Sequence, residues 1–557
     1  MTVPPQTDPL AADHLETLIA RRGAQALEEL AAMRASDPPT TGGRVLSYVY
    51  DSGIAGLDEL AIRAAALAHG VNGLDPTVFG SVAQIHGGIV RRVREILGGD
   101  AGDKTGDNDN ANHKNKNKND DDEVFGLVTS GGTESCMLAC LAAREVAGRA
   151  PGSGGTIVAP VTAHAAFRKA AHVLGMRFVG VEVDPATGRV AAEDLLDAVD
   201  ADTCLVVVSA PSYPTGVIDP VAQVAAGLEA RHDSRIGLHV DACLGGLVLP
   251  FWPGPVGGQP TGDPTADRAD VEPAPAWDLR IARVTSISAD LHKYGFAPKG
   301  TSVLLSRGRA RHRASWFATV DWPGYPVVNP TLAGSKPLEP AAAAWAVLAA
   351  LGDDGQRELV ARTARATARL TEGLSAIEGL RVIDSDPGPL IAVVSDEAAP
   401  SGRRIHPHLW ADACGRRGIS VQAQPAYRQE RGALLSSSHL TLTPVTEGLV
   451  DEILRVALDA ADEVRGLPAP LPPPEFTEVL DALDRGDLSP ADLLALPEDD
   501  VHAMVAGVLA GPSGESDSDG SAGDASSGMA PLLAAIERLP GNVGARLVRA
   551  YLAAVLE

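Results

Sequence analysis

Four short stretches of this chain set reactive residue types at the ends of apolar runs. In TSGGTES, Thr129 to Ser135, two glycines precede Thr133 and Glu134, so the backbone can approach an anion while the N–H groups of a following helix start face it. A plain helix cap has the same appearance. In TAHAAFRKAA, His164 begins a helical pattern directly after the run TIVAP, and a lone histidine there serves structure as readily as chemistry. In GLHVDACLGG, Asp241 lies within or at the end of a strand-like run with mostly apolar neighbours. A carboxylate is costly there unless it meets a cation or a strong donor, although a helix cap or a structural hydrogen bond would also satisfy it. In SISADLHKYGFAPKG, residues 286–300, Lys293 follows a short strand-like run, with His292 beside it and Lys299 further along. Burial strips charge from a lysine and leaves a free amine able to form a Schiff base, although an ion-paired lysine is the commoner case.

Together the four stretches are more specific than any one alone. An anion cradle, a ring to stack, a buried carboxylate and a strand-end lysine, in this chain order, are the parts needed to hold pyridoxal phosphate. The cysteines Cys136, Cys140, Cys204, Cys243 and Cys414 are scattered and set mostly in apolar runs, so they read as buried thiols of a reducing compartment. Cys136 and Cys140 share a helix face, but no second ligand pair accompanies them, and no metal site is expected.

The elements that must position these residues follow from the apolar pattern. Runs such as TIVAP, MRFVGVEV, TCLVVVSAP, IGLHVDA, RVTSISAD and TSVLLS alternate with helical patterns, as in a mainly parallel sheet buried on both faces. In such α/β domains ligands settle at the carboxyl ends of strands. The reading is an N-terminal helical segment over 1–90, a large α/β domain over 91–330, a smaller C-terminal α+β domain over 331–468, and a helical extension over 469–557. The stretch 98–123 is almost free of apolar residues and is expected to be a disordered insertion, and 511–528 a flexible linker.

The chain has 557 residues, enough for several folded units. Its 72 acidic against 47 basic residues give a formal charge of -25, which opposes nucleic acid and anionic membrane as partners. The start of the chain lacks the pattern of a secretory signal, and its longest apolar stretch, Ala341 to Leu351, is too short to span a bilayer. A cytoplasmic location is the expectation.

SADLHKYGFAPKG, together with HVDACLGGLVLPF, TSGGTES and AHAAFRKAA, closely resembles the sphingosine-1-phosphate lyase family, fold-type I pyridoxal-phosphate enzymes related to the group II amino acid decarboxylases. The resemblance runs from about 40 to 465, leaving out the 98–123 insertion and the stretch GPVGGQPTGDPTADRADVEP. It implies that Lys293 carries the cofactor aldehyde, Asp241 pairs with the pyridine nitrogen, His164 stacks on the ring, and Gly132 and Thr133 hold the phosphate with help from His292. Tyr50 in YVYDSG and Lys299 match residues that reach the substrate. Ser335 in AGSKP matches one that serves the neighbouring subunit of a homodimer with shared active sites. The implied activity is retro-aldol cleavage of a small-molecule amine, a 2-amino-3-hydroxy compound such as a phosphorylated sphingoid base. An amino acid decarboxylase on the same scaffold is the alternative, and a non-catalytic scaffold a remoter one. Two departures bear on a substrate phosphate. NGLDPTVF puts Asp75 where the family has a histidine, and GSKPLEP puts Lys336 where it has an arginine.

Overall fold

The computed structural model describes residues 9–99, 122–149, 154–254, 276–509 and 529–556. Nearly all of the proposed insertion at 98–123, nearly all of the stretch GPVGGQPTGDPTADRADVEP and the whole linker at 511–528 lie outside these residues. The N-terminal part holds helices α1 (Pro9–Met33), α2 (Ala55–Leu67) and α3 (Gly80–Ile96). There follow β1 (Val124–Thr129), α4 (Gly132–Val146), β2 (Thr156–Pro160), α5 (Ala165–Leu174), β3 (Arg177–Val181), α6 (Ala192–Asp197), β4 (Thr203–Ser209), α7 (Val221–Ala230) and β5 (Gly237–Asp241). The chain continues through β6 (Ser286–Asp290), β7 (Ser302–Arg307), α8 (Arg309–Ala314), β8 (Phe317–Thr319), β9 (Val327–Asn329) and α9 (Glu339–Ser375). Beyond these lie β10 (Leu380–Val382), β11 (Leu390–Ser395), α10 (Pro407–Gly415), β12 (Gln422–Gln424), β13 (Tyr427–Gln429), β14 (Gly432–Leu434), β15 (Ser437–Thr441) and α11 (Val450–Val464). Five helices close the chain: α12 (Pro474–Arg485), α13 (Pro490–Ala495), α14 (Glu498–Leu509), α15 (Met529–Arg538) and α16 (Gly541–Leu556).

The large sheet has the order β1-β7-β6-β5-β4-β2-β3. Strands β3, β2, β4, β5 and β6 run parallel, and every residue of β2, β4, β5 and β6 is buried, which is why β2 and β4 are nearly unbroken apolar runs, while β6 carries buried serines at 286 and 288. The apolar pattern carries no strand direction, and β7, the TSVLLS run, lies antiparallel to both β6 and β1. β1 itself, VFGLVT, is a strand the sequence reading did not include. Its single glycine, Gly126, lets Val90 and Leu305 pack where a Cβ would collide with both. The parallel register aligns Asp241 on β5 with Ser288 on β6.

Helices α2 and α3 do not form a unit of their own. Leu57, Ala61, Val82 and Ile89 belong to the same core as Val206, Leu238 and Ile287 of the sheet, so the segment read as 1–90 is largely a layer of the large domain. Helix α9 joins the two main cores. Ala343, Ala344 and Val347 pack in the large one, Ala366, Leu370 and Leu374 in the small one, and Gly352, with φ 55° and ψ -162°, breaks the helix between them.

The small domain is an antiparallel sheet of order β10-β11-β15-β12, covered by α10 and α11, with β13 and β14 pairing only with each other. The last five helices hold a further core around Phe476, Leu480, Val501 and Val505, and α15 packs on α10 and β12. All five cysteines are buried and unpaired. Among the described residues no helix is long and apolar enough to cross a membrane.

Trp410 of α10 is 1% exposed, and its indole N–H donates to the Ala457 carbonyl of α11 at 3.0 Å. Trp410→Ala removes the largest side chain of this core together with its bond to α11. It is expected to cost about 3–5 kcal/mol, read as a lower urea midpoint for the small domain, with Trp410→Phe milder.

Candidate active site

The carboxyl ends of β4, β5 and β6, the glycine loop before α4 and the inner face of the small-domain sheet enclose a cavity of about 900 Å³. Tyr50, Gly132, Thr133, His164, Asp241, His292, Lys293 and Lys299 all line it. Ser335 does not. It lies apart, its hydroxyl accepting from Asn72 Nδ2 at 3.3 Å.

Asp241 closes β5. Its Oδ1 accepts from the Cys243 N–H at 3.1 Å and from the Ser288 hydroxyl at 3.2 Å, which leaves Oδ2 available on the cavity side. Burial pushes this carboxyl up, but His164, His239, the Cys243 side chain and Lys293 together hold it below the usual carboxylate range. It is an anion. Ser288 also meets His239 Nε2 at 3.2 Å, and His239 Nδ1 meets Ser286 Oγ at 2.9 Å, so a buried chain of polar groups braces the carboxylate from behind. Burial drops His239 to about 4, so its ring is neutral. His239 and Ser288 are supporting residues that sequence reasoning missed. The alternation of serines in TSISAD was the available signal.

Lys293 departs from expectation. Burial by itself would lower its pKa, but Asp290, then Tyr50, Cys243 and Asp241, raise it above the usual lysine value. Nζ sits 3.1 Å from Asp290 Oδ2, so the amine of the chain alone stays a cation instead of being freed by desolvation. Asp290 was not among the residues singled out in the sequence, because it reads there as the last residue of a strand. His292 Nε2 lies 3.6 Å from the same oxygen, while its Nδ1–H donates to the Thr301 carbonyl at 2.9 Å. Burial lowers His292.

The glycine loop is shaped by close approach. A Cβ at Gly132 would stand 2.8 Å from both Asp290 oxygens and from Cys243 Sγ, so only glycine fits. Glu134, in the first turn of α4, accepts from the Ser130 N–H at 2.6 Å and from the Leu332 N–H at 2.7 Å, fixing the loop that carries the helix start. His164 caps α5, its Nδ1 accepting from the Ala166 N–H at 3.2 Å, and this leaves the ring over the cavity rather than in the core.

Across the cavity, Tyr50 meets Tyr294 edge-on at 5.3 Å, and Lys299 Nζ lies 5.0 Å from the Tyr50 ring centre while donating to the Tyr48 carbonyl at 2.9 Å. Burial raises Tyr50, so it is a phenol. Burial, then Lys293, lowers Lys299 from the usual lysine value. Arg381, absent from the sequence reading, also lines the cavity. The two departures at 75 and 336 lie elsewhere. Asp75 Oδ1 is occupied by Thr77 in a local turn, and Lys336 Nζ donates to Thr331 Oγ1 at 3.1 Å.

The donor set fits pyridoxal phosphate. A helix start with an obligatory glycine offers N–H groups, an anionic carboxylate and a lysine line the same space, and two buried oxygens on its wall, Thr162 Oγ1 and Asp290 Oδ1, have no protein partner. A metal fits less well. Cys136, Asp241 and Cys243 bring donor atoms within 4.8 Å of one another, but the Cys136 contact, burial and Asp241 push the Cys243 thiol well up, and burial also raises Cys136. Cys136 neighbours Cys243 as well as Cys140 on its own helix face.

Comparison with known proteins agrees with this geometry. The aminotransferase class-V family profile matches residues 117–247. Sphingosine-1-phosphate lyase of Dictyostelium discoideum is 39% identical over 274 residues, 49% of this chain and 48% of the relative. Sphingosine-1-phosphate lyase 1 of Rattus norvegicus is 33% identical over 387 residues, 69% of this chain and 61% of the relative. The chain thus spans about half to three fifths of the length of these relatives. The solved structure of a Burkholderia pseudomallei sphingosine-1-phosphate lyase superposes with a TM-score of 0.64 at 28% identity, covering 87% of this chain and 97% of that one. Sequence and architecture therefore agree: the chain belongs to the sphingosine-1-phosphate lyase family of fold-type I, pyridoxal-phosphate-dependent enzymes.

Proposed function

We propose that the protein is a carbon–carbon lyase that cleaves a 2-amino-3-hydroxy substrate, a phosphorylated sphingoid base, to an aldehyde and phosphoethanolamine. The observation that carries this reading is the shared cavity of Lys293 and an ionised Asp241. When bound, pyridoxal phosphate supplies a carbonyl for amine exchange and a cationic ring that accepts the electron pair released by cleavage. Lys293 would hold the cofactor aldehyde through its amine. Asp241 would keep the proton on the ring nitrogen, and the N–H groups of Gly132 and Thr133, with His292, would bind the phosphate. His164 would cover the ring face and exclude water from it.

The proton on the substrate hydroxyl must go to a base, and the two candidates differ. Tyr50 is held as a phenol, so it donates a hydrogen bond, whereas Lys299, lowered by burial and then by Lys293, gives up its own proton more readily than an ordinary lysine and is the base. Anion recognition falls to Arg381, because Asp75 and Lys336 do not line the cavity of their own chain. Arg381 is the one feature that favours the second reading, an amino acid decarboxylase, since a guanidinium suits a substrate carboxylate. The buried free thiols fit a cytoplasmic enzyme. Exposed apolar side chains on α2 and around β8 and β9, among them Leu67 at 89%, Val320 at 80% and Tyr325 at 71%, fit burial in a homodimer, in which Ser335 serves the partner's site.

Incubation with phosphorylated and dephosphorylated sphingoid bases is expected to release a long-chain aldehyde from the former, and carbon dioxide release from amino acids would instead select the decarboxylase. Asp241→Ala is expected to bind cofactor and lose activity by at least about a thousandfold, measured as kcat beside cofactor absorbance. Lys299→Arg keeps the charge but not the base. It is expected to lower kcat by about 10²–10⁴-fold and to remove the rise in rate as pH climbs through the depressed Lys299 pKa, a limb that the wild-type pH profile retains.

A further inference from the structure

The wall of the cavity opposite the ionic groups comes from residues 422–437, where Gln424, Tyr427, Leu434, Leu435 and Ser437 face the interior. Gln424 on β12 pairs with Ser437 on β15, and beyond this pair the chain leaves the sheet as the β13–β14 hairpin. A hairpin bonded only to itself is marginal in water, so its position must be set from outside.

Two sets of contacts do this. At the tip, the side chain of Gln429 bonds both the N–H and the carbonyl of Val183, at 2.9 and 3.0 Å, and Arg431 pairs with Asp194 at 2.5 Å. The tip therefore rests on the large domain, and the hairpin forms a strap from the small domain across the cavity. At the base, one carboxylate oxygen, Glu537 Oε1, accepts from the Ala426 N–H at 2.8 Å and from the Ser436 hydroxyl at 2.7 Å. These two residues lie on opposite strands of the strap. Glu537 belongs to α15, in the extension beyond the small domain, and α15 is itself docked on α10 through the Ala530 N–H to Asp412 Oδ2 at 3.2 Å and through buried Ala530 and Leu533.

We propose that the C-terminal helical extension is a specificity element of the active site: Glu537 closes the base of the strap and thereby holds Tyr427, Leu434 and Leu435 as the surface for the apolar chain of the substrate. Glu537 is a positioning residue. It does not line the cavity, and its effect passes through Ala426 and Ser436. The chemical class of the ligand follows from what the strap presents, since Tyr427 and Leu435 are 43% and 39% exposed toward the mouth and the side chains are mainly apolar. This rests on the reading that the cavity takes a long-chain amine.

The test uses the full-length holoenzyme with Glu537→Ala, Glu537→Gln and Ser436→Ala, comparing hydrogen exchange across 425–436 and the kinetics of a long-chain and a short-chain phosphorylated sphingoid base. Glu537→Ala is expected to speed exchange across 425–436 while α15 stays protected, and to raise KM for the long-chain base by about tenfold, the scale of one ordinary hydrogen bond, because the loss reaches the substrate only through the loosened strap. Values of kcat, cofactor absorbance and KM for the short-chain base are expected to stay within about twofold. Glu537→Gln, which keeps an acceptor oxygen, is expected to recover most of the loss, and Ser436→Ala to give a smaller loss of the same kind. Unchanged exchange across 425–436 in Glu537→Ala, or equal KM changes for both chain lengths, overturns the proposal. Faster exchange in a protein that cleaves neither base leaves the clamp standing and removes the lyase reading together with the specificity role.

Discussion

An ionised carboxylate at the end of a fully buried strand is the constraint around which this site is arranged. Taking Asp241 out of water carries a penalty of several kcal/mol, and the chain offsets it with a backbone N–H, a serine hydroxyl and nearby cationic or polarisable rings. The donor Ser288 is available only because β5 and β6 are parallel and in a register that pairs it with Asp241. A slip of one residue would turn Ser288 to the other face of the sheet and leave the carboxylate with one donor. The same register delivers the end of β6, and with it Asp290 and Lys293, to the edge of the same cavity.

Lys293 illustrates how burial and pairing compete. Desolvation alone favours a neutral amine, but an acceptor at 3.1 Å in a site sheltered from water restores the ammonium. Asp290 holds that position because it ends a buried strand three residues earlier, and because Gly132 leaves room for its carboxylate beside the helix start. The glycine is therefore shaped as much by Asp290 and Cys243 as by any anion that binds the loop.

The positions of the strand-end residues were legible in the sequence because buried parallel strands are contiguous apolar runs, so a polar residue at the end of one stands out. Asp241, Lys293 and the TSGGTES loop were visible in this way, as was the α/β architecture. The reversal of β7 was not, since TSVLLS is equally apolar read in either direction. Ser288 was hidden inside a strand, its meaning dependent on Asp241 far away in the chain, and Asp290, although it ends that strand, was read only as part of it. Arg381 and the strap were hidden for a different reason. Their strands are three residues long, shorter than any periodicity needs to declare itself, and they reach the cavity only through the packing of one domain on another.

The two domains divide the cavity by chemistry. The large domain contributes Asp241, Asp290, His164, His292, Lys293 and the glycine loop, all at strand or helix ends where backbone geometry is rigid. The small domain contributes Ile383, Val394, Leu434 and Leu435 together with Gln422, Gln424, Ser437 and Arg381 and, among the described residues, no carboxylate. Charged groups must be preorganised to stabilise charge as it develops, whereas an apolar surface needs only shape, so the first belongs on a seven-stranded sheet and the second can sit on a strap. Tethering that strap at both ends resolves what would otherwise be a conflict. Its tip follows the large domain and its base follows α15, so any relative movement of the domains must stretch or release one of the two anchors. The wall that meets the substrate is thus coupled to the packing of a helix outside the catalytic core, and a change confined to α15 reaches the substrate without touching any group that handles a proton.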